Sequence, residues 1–381
     1  MNDFIPFNRP YLVGTETGHI NQCQKLRQLS GDGEFSESCQ NWLKMQIGCA
    51  KALLTHSCTA ALEMMALLIN VKPGDEVIMP SFTFVSTATA FALRGAVPVF
   101  VDIRGDTLNI DEKLIEAAIT PKTKAIVVVH YAAIACEMDT ILDIASRHGI
   151  LVLEDAAHGI MASYKNRELG SMGTLGALSF HETKNIICGE GGALLINDNS
   201  LTSSAEIIRE KGTDRSLFLR NERDRYTWQQ LGSSFLMGEL VSAFLFAQMK
   251  EAESITAQRK ALWEQYHNLL APLEKQSILR RPIVPENCIH NGHLYYVLLK
   301  NRKMRDEVIS SIKSLGVQAI SHYEPLHSSP AGKKFARVNG SMKNTAKLSG
   351  CILRLPLWIG LKERDQLTVI NAIKQTLNGY T

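Results

Sequence analysis

The sequence lacks closely spaced cysteine pairs. Eight cysteines occur in 381 residues, but no two of them form a C-x-x-C motif. Such spacing is typical of zinc sites and redox motifs, and a chain of this length can bury enough core to fold without disulfide bonds. We therefore expect no metal site and no disulfide framework. We also expect a cytoplasmic location, where thiols stay reduced.

An excess of charge of one sign and long apolar runs are also missing. The 41 basic and 38 acidic residues nearly cancel, and basic residues cluster only as short pairs, so we expect no nucleic-acid partner. The longest apolar run, residues 125–136, is interrupted by His130 and is too short to span a bilayer. The first residues show no charged-then-apolar signal segment. We therefore expect no membrane partner.

The sequence does contain short β-rich segments that alternate with helical ones up to about residue 199. Several of the strand candidates are apolar throughout, as in Ala125–Val129, which is typical of strands covered by helices on both faces. This pattern predicts an α/β domain built around a mainly parallel sheet. The predicted strands are residues 51–54, 76–79, 97–101, 125–130, 150–154, 177–180 and 193–196, and the predicted helices are residues 59–69, 87–94, 111–118 and 138–148.

The remaining segments suggest three parts. Residues 1–35 are rich in proline and glycine and are predicted to form an irregular N-terminal arm, and residues 36–250 are predicted to form the large domain. Residues 251–381 are predicted to contain a bridging helix and a small C-terminal α+β domain. The bridging helical stretch is expected over residues 237–268, and the small domain is expected to contain strands 294–299 and 352–355 and helices 305–315 and 363–377.

Three polar stretches follow predicted strands and should converge, because the carboxyl ends of parallel strands share the sheet edge where ligands bind. Ser57–Ala60 opens a helix, whose N-terminal N–H groups suit a phosphate, although in isolation an ordinary helix cap is the favoured explanation of these residues. Asp155 ends an apolar strand and is placed to keep a pyridine nitrogen protonated, but a helix cap or a metal ligand remains open.

The third stretch contains Lys184, which follows the strand that ends in Ser179-Phe180 and precedes the glycine-rich turn Gly189–Gly192. A lysine in this position is partly desolvated and has a lowered pKa, which favours the neutral amine needed to form a Schiff base. A single lysine is more often a solvated surface residue. The turn is not a dinucleotide-binding fingerprint, because it lacks the G-x-G-x-x-G spacing and precedes a strand.

Together and in this order, the three stretches resemble the DegT-type family of nucleotide-sugar aminotransferases. The resemblance extends along nearly the whole chain and is most specific in Ser179–Asn185 and Gly189–Gly192. It implies the fold type I architecture of aspartate aminotransferase (a large domain with a mainly parallel sheet and a small C-terminal domain). It also implies pyridoxal 5′-phosphate as the cofactor.

The resemblance also assigns roles to individual residues. The implied catalytic residues are Lys184 as the Schiff-base lysine and proton carrier, Asp155 as the partner of the pyridinium nitrogen, and His158 beside the phenolic oxygen. Phe84 is expected to stack on the cofactor ring. The implied phosphate ligands are Thr59, Ala60 and Ser179, together with Ser234 of a neighbouring subunit. Ser234 stands where the family often has asparagine, and Thr89 likewise replaces a common asparagine. Because Ser234 is expected to reach the phosphate of a neighbouring subunit, the resemblance implies a homodimer with active sites at the interface.

Long runs such as residues 74–84 and 206–215 are most similar to the subgroup that aminates dTDP-4-keto-6-deoxyglucose in enterobacterial common antigen synthesis. This likeness implies L-glutamate as donor, 2-oxoglutarate as by-product and dTDP-4-amino-4,6-dideoxygalactose as product. The gluco epimer, a 3-keto-sugar aminotransferase and a pyridoxal-phosphate-binding regulatory protein remain alternatives. A related sugar 3-dehydratase is disfavoured, because it carries histidine in place of Lys184. The candidate substrate residues are Phe7, Arg9, Arg215, Tyr323 and His327, with Arg220 as a further candidate for the diphosphate.

Overall fold

A computed structural model describes residues 4–377 of the chain. Its strands are β1 (Lys51–Thr55), β2 (Glu76–Pro80), β3 (Val97–Val101), β4 (Thr123–Val129), β5 (Leu151–Asp155), β6 (Ser163–Tyr164), β7 (Arg167–Glu168), β8 (Leu175–Ser179), β9 (Gly192–Ile196), β10 (Cys288–Ile289), β11 (Tyr295–Leu298), β12 (Arg337–Val338) and β13 (Ile352–Leu355). Its α-helices are α1 (Glu16–Leu26), α2 (Glu34–Ile47), α3 (Cys58–Leu68), α4 (Val85–Ala92), α5 (Met138–His148), α6 (Thr202–Arg209), α7 (Arg215–Leu219), α8 (Glu239–Lys250), α9 (Ala252–Lys275), α10 (Arg302–Ser314), α11 (Pro330–Phe335), α12 (Lys343–Cys351) and α13 (Glu363–Leu377).

The centre of the molecule is an eight-stranded sheet in the order β1-β9-β8-β5-β4-β2-β3-β12. Strand β9 runs antiparallel to both of its neighbours, and the other neighbouring pairs are parallel. The α/β class and the mainly parallel sheet predicted from the sequence are therefore confirmed.

Helices cover both faces of this sheet. In β4, Ile126 and Val128 belong to the core shared with α2, α5 and α8, whereas Ala125 and Val127 belong to the core shared with α3, α4 and α6. A strand buried on both faces has no polar side to display. This double burial explains why β4 is an unbroken apolar run rather than an alternating one.

A third core lies in the C-terminal part of the chain. Strands β11 and β13 pair in antiparallel register, and their buried side chains pack with residues of α9, α10 and α13. This part is also joined to the central sheet, because β12 pairs with β3 and because Asp102 accepts hydrogen bonds from Asn344 N (2.9 Å) and Thr345 N (2.8 Å) at the start of α12. The partition at residues 35 and 250 stays a prediction.

The structure differs from the sequence-based expectations in three elements. The prediction of an irregular arm is wrong for residues 16–26, which form α1 and pack against α8. Residues 111–118 form two short 3-10 turns instead of one helix, with Ile115 and Ala118 buried at the tighter three-residue spacing. The long helix expected at 237–268 is divided at Glu251 into α8 and α9. Between residues 4 and 377, no helix combines the length and apolarity needed to cross a membrane.

Candidate active site

The three polar stretches converge at one edge of the central sheet. Strands β1, β4, β5 and β8 point the same way, so their carboxyl ends face one cavity of about 620 Å³. The predicted site residues that line this cavity are Phe7, Thr59, Phe84, Asp155, His158, Ser179, Tyr323 and Lys184. The sheet topology brings together Thr59, Asp155, Ser179 and Lys184, and Phe7 and Tyr323 reach the same cavity from outside the sheet.

Lys184 lies in the loop between β8 and β9. This loop is closed by the hydrogen bonds Glu182 N to Gly189 O (2.8 Å) and Lys184 N to His181 O (2.9 Å). The side chain is half-buried within the cavity, and burial lowers its pKa to about 8, with a further contribution from the positive charge of Arg354. At pH 7 roughly a tenth of this amine is neutral, far more than for a solvated lysine. Lys184 can therefore act as a nucleophile near neutral pH.

Asp155 is the last residue of β5, and its carboxylate is buried and held at both oxygens. Thr87 on α4 donates to Oδ2 (2.7 Å), and the backbone N–H of Ala157 donates to Oδ1 (3.1 Å). The Thr87 hydroxyl in turn lies 2.8 Å from Oγ1 of Thr83. This arrangement fixes the orientation of the carboxylate, which faces the cavity. It can accept a hydrogen bond from a protonated ring nitrogen.

His158 is held by a strained turn after β4. The backbone N–H of Ala132 donates to His158 Nδ1 (3.2 Å), so a neutral ring carries its proton on Nε2. Ala132 and Ala133 both have positive φ, 57° and 64°, which is rare for residues other than glycine. Burial, followed by the charge of Lys184, lowers the pKa of His158 well below its usual range. The ring is therefore a neutral hydrogen-bond donor.

The amino end of α3 has the features of a phosphate site. Ser57 caps the helix by accepting a hydrogen bond from Ala60 N (3.1 Å), and the first-turn N–H groups of Cys58 and Thr59 have no acceptor within the helix. The Ser179 hydroxyl lines the same cavity. Gly192 allows the close approach of β9, because an added Cβ would lie 2.4 Å from Cys58 N. These donors, Lys184 and Asp155 fit the phosphate, aldehyde and ring nitrogen of pyridoxal phosphate.

Other predicted site residues lie outside this cavity. Ala60 is buried beneath the helix end and contributes only its backbone N–H to the cap. Ser234 is exposed. Arg9 stacks on the ring of Trp358 (4.6 Å), Arg215 pairs with Glu210 (3.1 Å), Arg220 pairs with Glu206 (3.0 Å), and His327 Nδ1 lies 2.7 Å from Ser81 Oγ. Their roles in binding stay predictions.

Thr87, His293 and Arg354 were not identified as functional from the sequence, whereas residues 322–327 were expected to line the substrate pocket. Thr87 orients Asp155, as described above. His293 faces His158 with ring centroids 4.2 Å apart, and His322 Nδ1 lies 2.9 Å from the Tyr131 hydroxyl. Arg354 lines the cavity from β13. The sequence feature that could have pointed to Arg354 is a charged residue inside an apolar segment, Ile352-Leu353-Arg354-Leu355.

Comparisons with known proteins identify the family of the chain. Residues 10–374 match the model of the DegT/DnrJ/EryC1/StrS aminotransferase family. The chain is 32% identical to the spore coat polysaccharide biosynthesis protein SpsC of Bacillus subtilis (strain 168), over 99% of this chain and 98% of that protein.

Solved structures give the same result for the fold. DesV of S. venezuelae has a TM-score of 0.89 at 28% identity, covering 98% of this chain and 99% of the other. The PMP form of the putative sugar aminotransferase Spr1654 of Streptococcus pneumoniae has a TM-score of 0.89 at 25% identity, covering 99% and 98%. The fold type I architecture is thereby confirmed. The chain belongs to the DegT/DnrJ/EryC1/StrS aminotransferase family, and its cofactor is pyridoxal 5′-phosphate.

Proposed function

We propose that this sugar aminotransferase transfers the amino group of L-glutamate to carbon 4 of dTDP-4-keto-6-deoxy-D-glucose and forms dTDP-4-amino-4,6-dideoxygalactose. The observation that carries the transamination is the meeting of Lys184, the fixed carboxylate of Asp155 and the amino end of α3 in one cavity. The choice of sugar is supported by the likeness of residues 74–84 and 206–215 to the 4-aminating subgroup.

Each of these groups has a separate task in the reaction. Bound pyridoxal phosphate supplies an electron sink for the α-carbon of an amino acid. Lys184 would hold the cofactor covalently until the donor's amine takes its place, and the freed lysine amine would then move the proton from the donor's α-carbon to the cofactor. Asp155 keeps the ring nitrogen protonated. Thr59, Ser179 and the end of α3 bind the phosphate, and His158 donates to the phenolic oxygen. Hydrolysis by one water would release 2-oxoglutarate and leave the amino group on the cofactor. The keto sugar would then enter, and Lys184 would move the proton in the reverse direction.

The active enzyme in this proposal is a homodimer with its two sites at the interface. Ser234 is exposed and lies in a segment that displays large apolar side chains to solvent. These side chains are Leu219 (56% exposed), Tyr226 (50%), Trp228 (74%) and Leu231 (58%). Exposed apolar side chains grouped in this way are typical of a protein–protein interface. A second copy of the chain that covers them would bring Ser234 to the phosphate of the partner's cofactor.

The proposed reaction can be tested with a pair of isomeric substrates. Purified enzyme is given excess L-glutamate and either dTDP-4-keto-6-deoxyglucose or its 3-keto isomer, and 2-oxoglutarate release is followed. We expect the 4-keto sugar to be consumed, with proton couplings at carbon 4 of the product that show the galacto configuration. Consumption of the 3-keto isomer alone would overturn the regiochemistry, and gluco couplings would overturn the stereochemistry. If neither sugar is consumed, the proposed substrate is refuted.

A further inference from the structure

Asn109 is a buried residue whose side chain makes three hydrogen bonds to one loop beside the active site. It lies between β3 and the 3-10 turn that follows, and it is fully enclosed. Its Nδ2 donates to the carbonyl oxygens of Ile134 and Ala135 (2.9 Å each). Its Oδ1 accepts from the backbone N–H of Tyr131 (3.0 Å). One amide thus ties together both ends of the segment 131–135, which we call the 131–135 loop.

An amide is the side chain that this set of backbone groups requires. The loop presents two acceptors and one donor, and an amide offers two N–H donors and one acceptor oxygen in a single plane. A carboxylate of the same shape would place an oxygen against two carbonyls. Because these backbone groups are buried, removing the amide would take hydrogen bonds from groups that water cannot reach, which is unfavourable.

The 131–135 loop has a backbone conformation that needs support from outside. Ala132 and Ala133 are consecutive residues in the left-handed region, where the Cβ of an L-residue is unfavourable. Such a conformation persists only when the surrounding contacts over-determine it. The three hydrogen bonds of Asn109 are contacts of this kind, and they come from a segment that is distant in the sequence.

The base of the loop is held independently by His130. Its Nδ1 accepts from the backbone N–H of Cys136 (3.2 Å), and its Nε2 lies 2.9 Å from Oε2 of Glu154. The side chains of His130 and Glu154 are both fully buried. Loss of the Asn109 amide should therefore let the middle of the loop relax while its base stays attached.

The middle of the loop contacts two histidines of the cavity. The backbone N–H of Ala132 donates to Nδ1 of His158 (3.2 Å), and the Tyr131 hydroxyl lies 2.9 Å from Nδ1 of His322. His158 and His322 line the cavity, whereas Asn109 does not. Because the direction of an N–H group follows from the backbone dihedrals, the left-handed conformation of Ala132 is what aims its N–H at His158.

We propose that Asn109 is a positioning residue for His158. By holding the 131–135 loop, it keeps the N–H of Ala132 on Nδ1 of His158 and therefore keeps the ring proton on Nε2. The inference rests on the proposed role of His158 as a donor to the phenolic oxygen of the cofactor. A ring with its proton on Nδ1 would turn a bare nitrogen towards that oxygen, and two acceptors form no hydrogen bond.

The tautomer of His158 can be measured in the cofactor-free protein. Heteronuclear NMR of protein labelled at the histidine nitrogens distinguishes a protonated ring nitrogen from a bare one, and His158→Asn identifies the signal. We expect Nε2 to carry the proton in the wild type. In Asn109→Ala, the population ratio of the two tautomers should fall about tenfold, which corresponds to one lost buried hydrogen bond.

Two measurements on the loaded enzyme should follow the tautomer. In Asn109→Ala, kcat should fall roughly tenfold while KM for L-glutamate changes less than about threefold, because Asn109 does not contact the substrate cavity. The pH dependence of the bound cofactor's absorbance should shift as well. Adding Ala132→Gly and Ala133→Gly to this variant should bring the tautomer ratio and kcat back to within about threefold of wild type, since glycine adopts left-handed conformations without strain.

Asn197→Ala is the matched control. The Asn197 amide also donates to two backbone carbonyls, Gly170 O (2.9 Å) and Gly173 O (2.7 Å), but these three residues do not line the cavity. The control should lower the thermal stability without changing the tautomer of His158 or kcat. If Asn109→Ala does not fold, Asn109→Ser retains a hydroxyl for one backbone group and should still show both tautomers.

A folded Asn109 variant in which His158 keeps the wild-type tautomer would overturn the proposal. A tautomer change that the two glycines do not reverse would overturn it too, because the amide would then not act through the strained backbone. Failure of the proposed function differs from both results. In that case the wild type would not consume the 4-keto sugar, or His158→Asn would leave the cofactor's absorbance unaltered, whatever tautomer the cofactor-free protein shows.

Discussion

At the scale of single residues, the proposed role of Lys184 predicts how the protein takes up its cofactor. Burial lowers its pKa to about 8, so the reactive neutral amine should increase about tenfold per pH unit below pH 8 and level off above it. The rate at which the cofactor-free protein develops the cofactor's colour should follow the same curve in stopped-flow measurements. Borohydride reduction should then place the adduct on the peptide that contains Lys184.

The control is Lys165→Ala, since Lys165 is an exposed lysine that pairs with Asp139 at 2.5 Å. This variant should behave like the wild type, whereas Lys184→Ala should bind cofactor without a covalent bond. A pH-independent rate, or an adduct on another lysine, would contradict the assignment.

The lowered pKa of Lys184 also affects the stability of the fold. Between pH 8 and 10.5 the unfolded chain binds more protons at this residue, so its contribution to stability rises with pH in that window.

Thr87 provides a residue-scale test of how Asp155 is oriented. Thr87→Val keeps the shape of the side chain but removes the 2.7 Å hydrogen bond to Oδ2, which is worth about 1.5–3 kcal/mol for a charged acceptor. We expect kcat to fall roughly tenfold or more, with a shift in the pH dependence of the bound cofactor's absorbance. Thr89→Val on the same helix is the control, because Thr89 is exposed. Equal kinetics for the two variants would show that Thr87 does not support Asp155.

At the scale of elements, the contact between β9 and the start of α3 positions the proposed phosphate site. A Cβ at residue 192 would lie within 2.4–2.6 Å of backbone atoms of Ser57 and Cys58, and backbone cannot rotate away as a side chain can. Gly192→Ala should therefore lower stability by about 1–3 kcal/mol and weaken cofactor binding at least tenfold, measured by thermal unfolding and by titration. Gly105→Ala, which has nothing within 4 Å, is the control. Wild-type cofactor affinity in Gly192→Ala would refute this account.

The elements that were predicted correctly are those whose signal is local. β3 (Val97–Val101), α5 (Met138–His148), β13 and α13 have the bounds expected from the sequence. The two strands are short apolar runs, the two helices show helical periodicity, and α5 also has the end signal Gly149. Helix α1 was missed because it is polar and buries only Glu16 and Cys23. The Glu16 carboxylate instead accepts hydrogen bonds from Val13 N and Gly14 N, and Gln248 on α8 donates to it. Tertiary contacts of this kind have no local signature.

The active site shows the same division. Lys184, Asp155 and Ser179 could be proposed from the sequence because each lies at or shortly after the end of an apolar strand, and the shared direction of those strands brings them together. Arg354 and His293 reach the cavity from the C-terminal part of the chain, and only three-dimensional packing shows that they face it. Sequence spacing could predict the cofactor-binding edge of the sheet but not the opposite wall.

At the scale of the whole molecule, that opposite wall depends on links between distant parts of the chain. The N-terminal segment is paired with the C-terminal part, since Ile5 N donates to Gly316 O (2.8 Å) and Gln318 N donates to Ile5 O (3.0 Å). Phe7 is thereby carried to Arg354. Asp102 anchors the start of α12 to the central sheet. The described part of one chain thus lines the cavity with Phe7, the sheet edge and β13.

The last wall of the site is expected to come from a second copy of the chain. If Ser234 reaches the partner's phosphate, Ser234→Asp should weaken cofactor binding through like-charge repulsion, whereas Asp at its exposed neighbour Ser233 should have a smaller effect.

A mixed dimer of one Lys184→Ala subunit and one Ser234→Asp subunit tests the shared site. Each site takes its lysine from one subunit and its serine from the other. One site of each heterodimer then carries both defects and the other carries none. Two differently tagged variants, co-expressed and purified through both tags, should therefore recover about half of the wild-type activity per dimer. Purified heterodimers without activity, or a fully active monomer in sedimentation velocity, would show that each chain completes its own site.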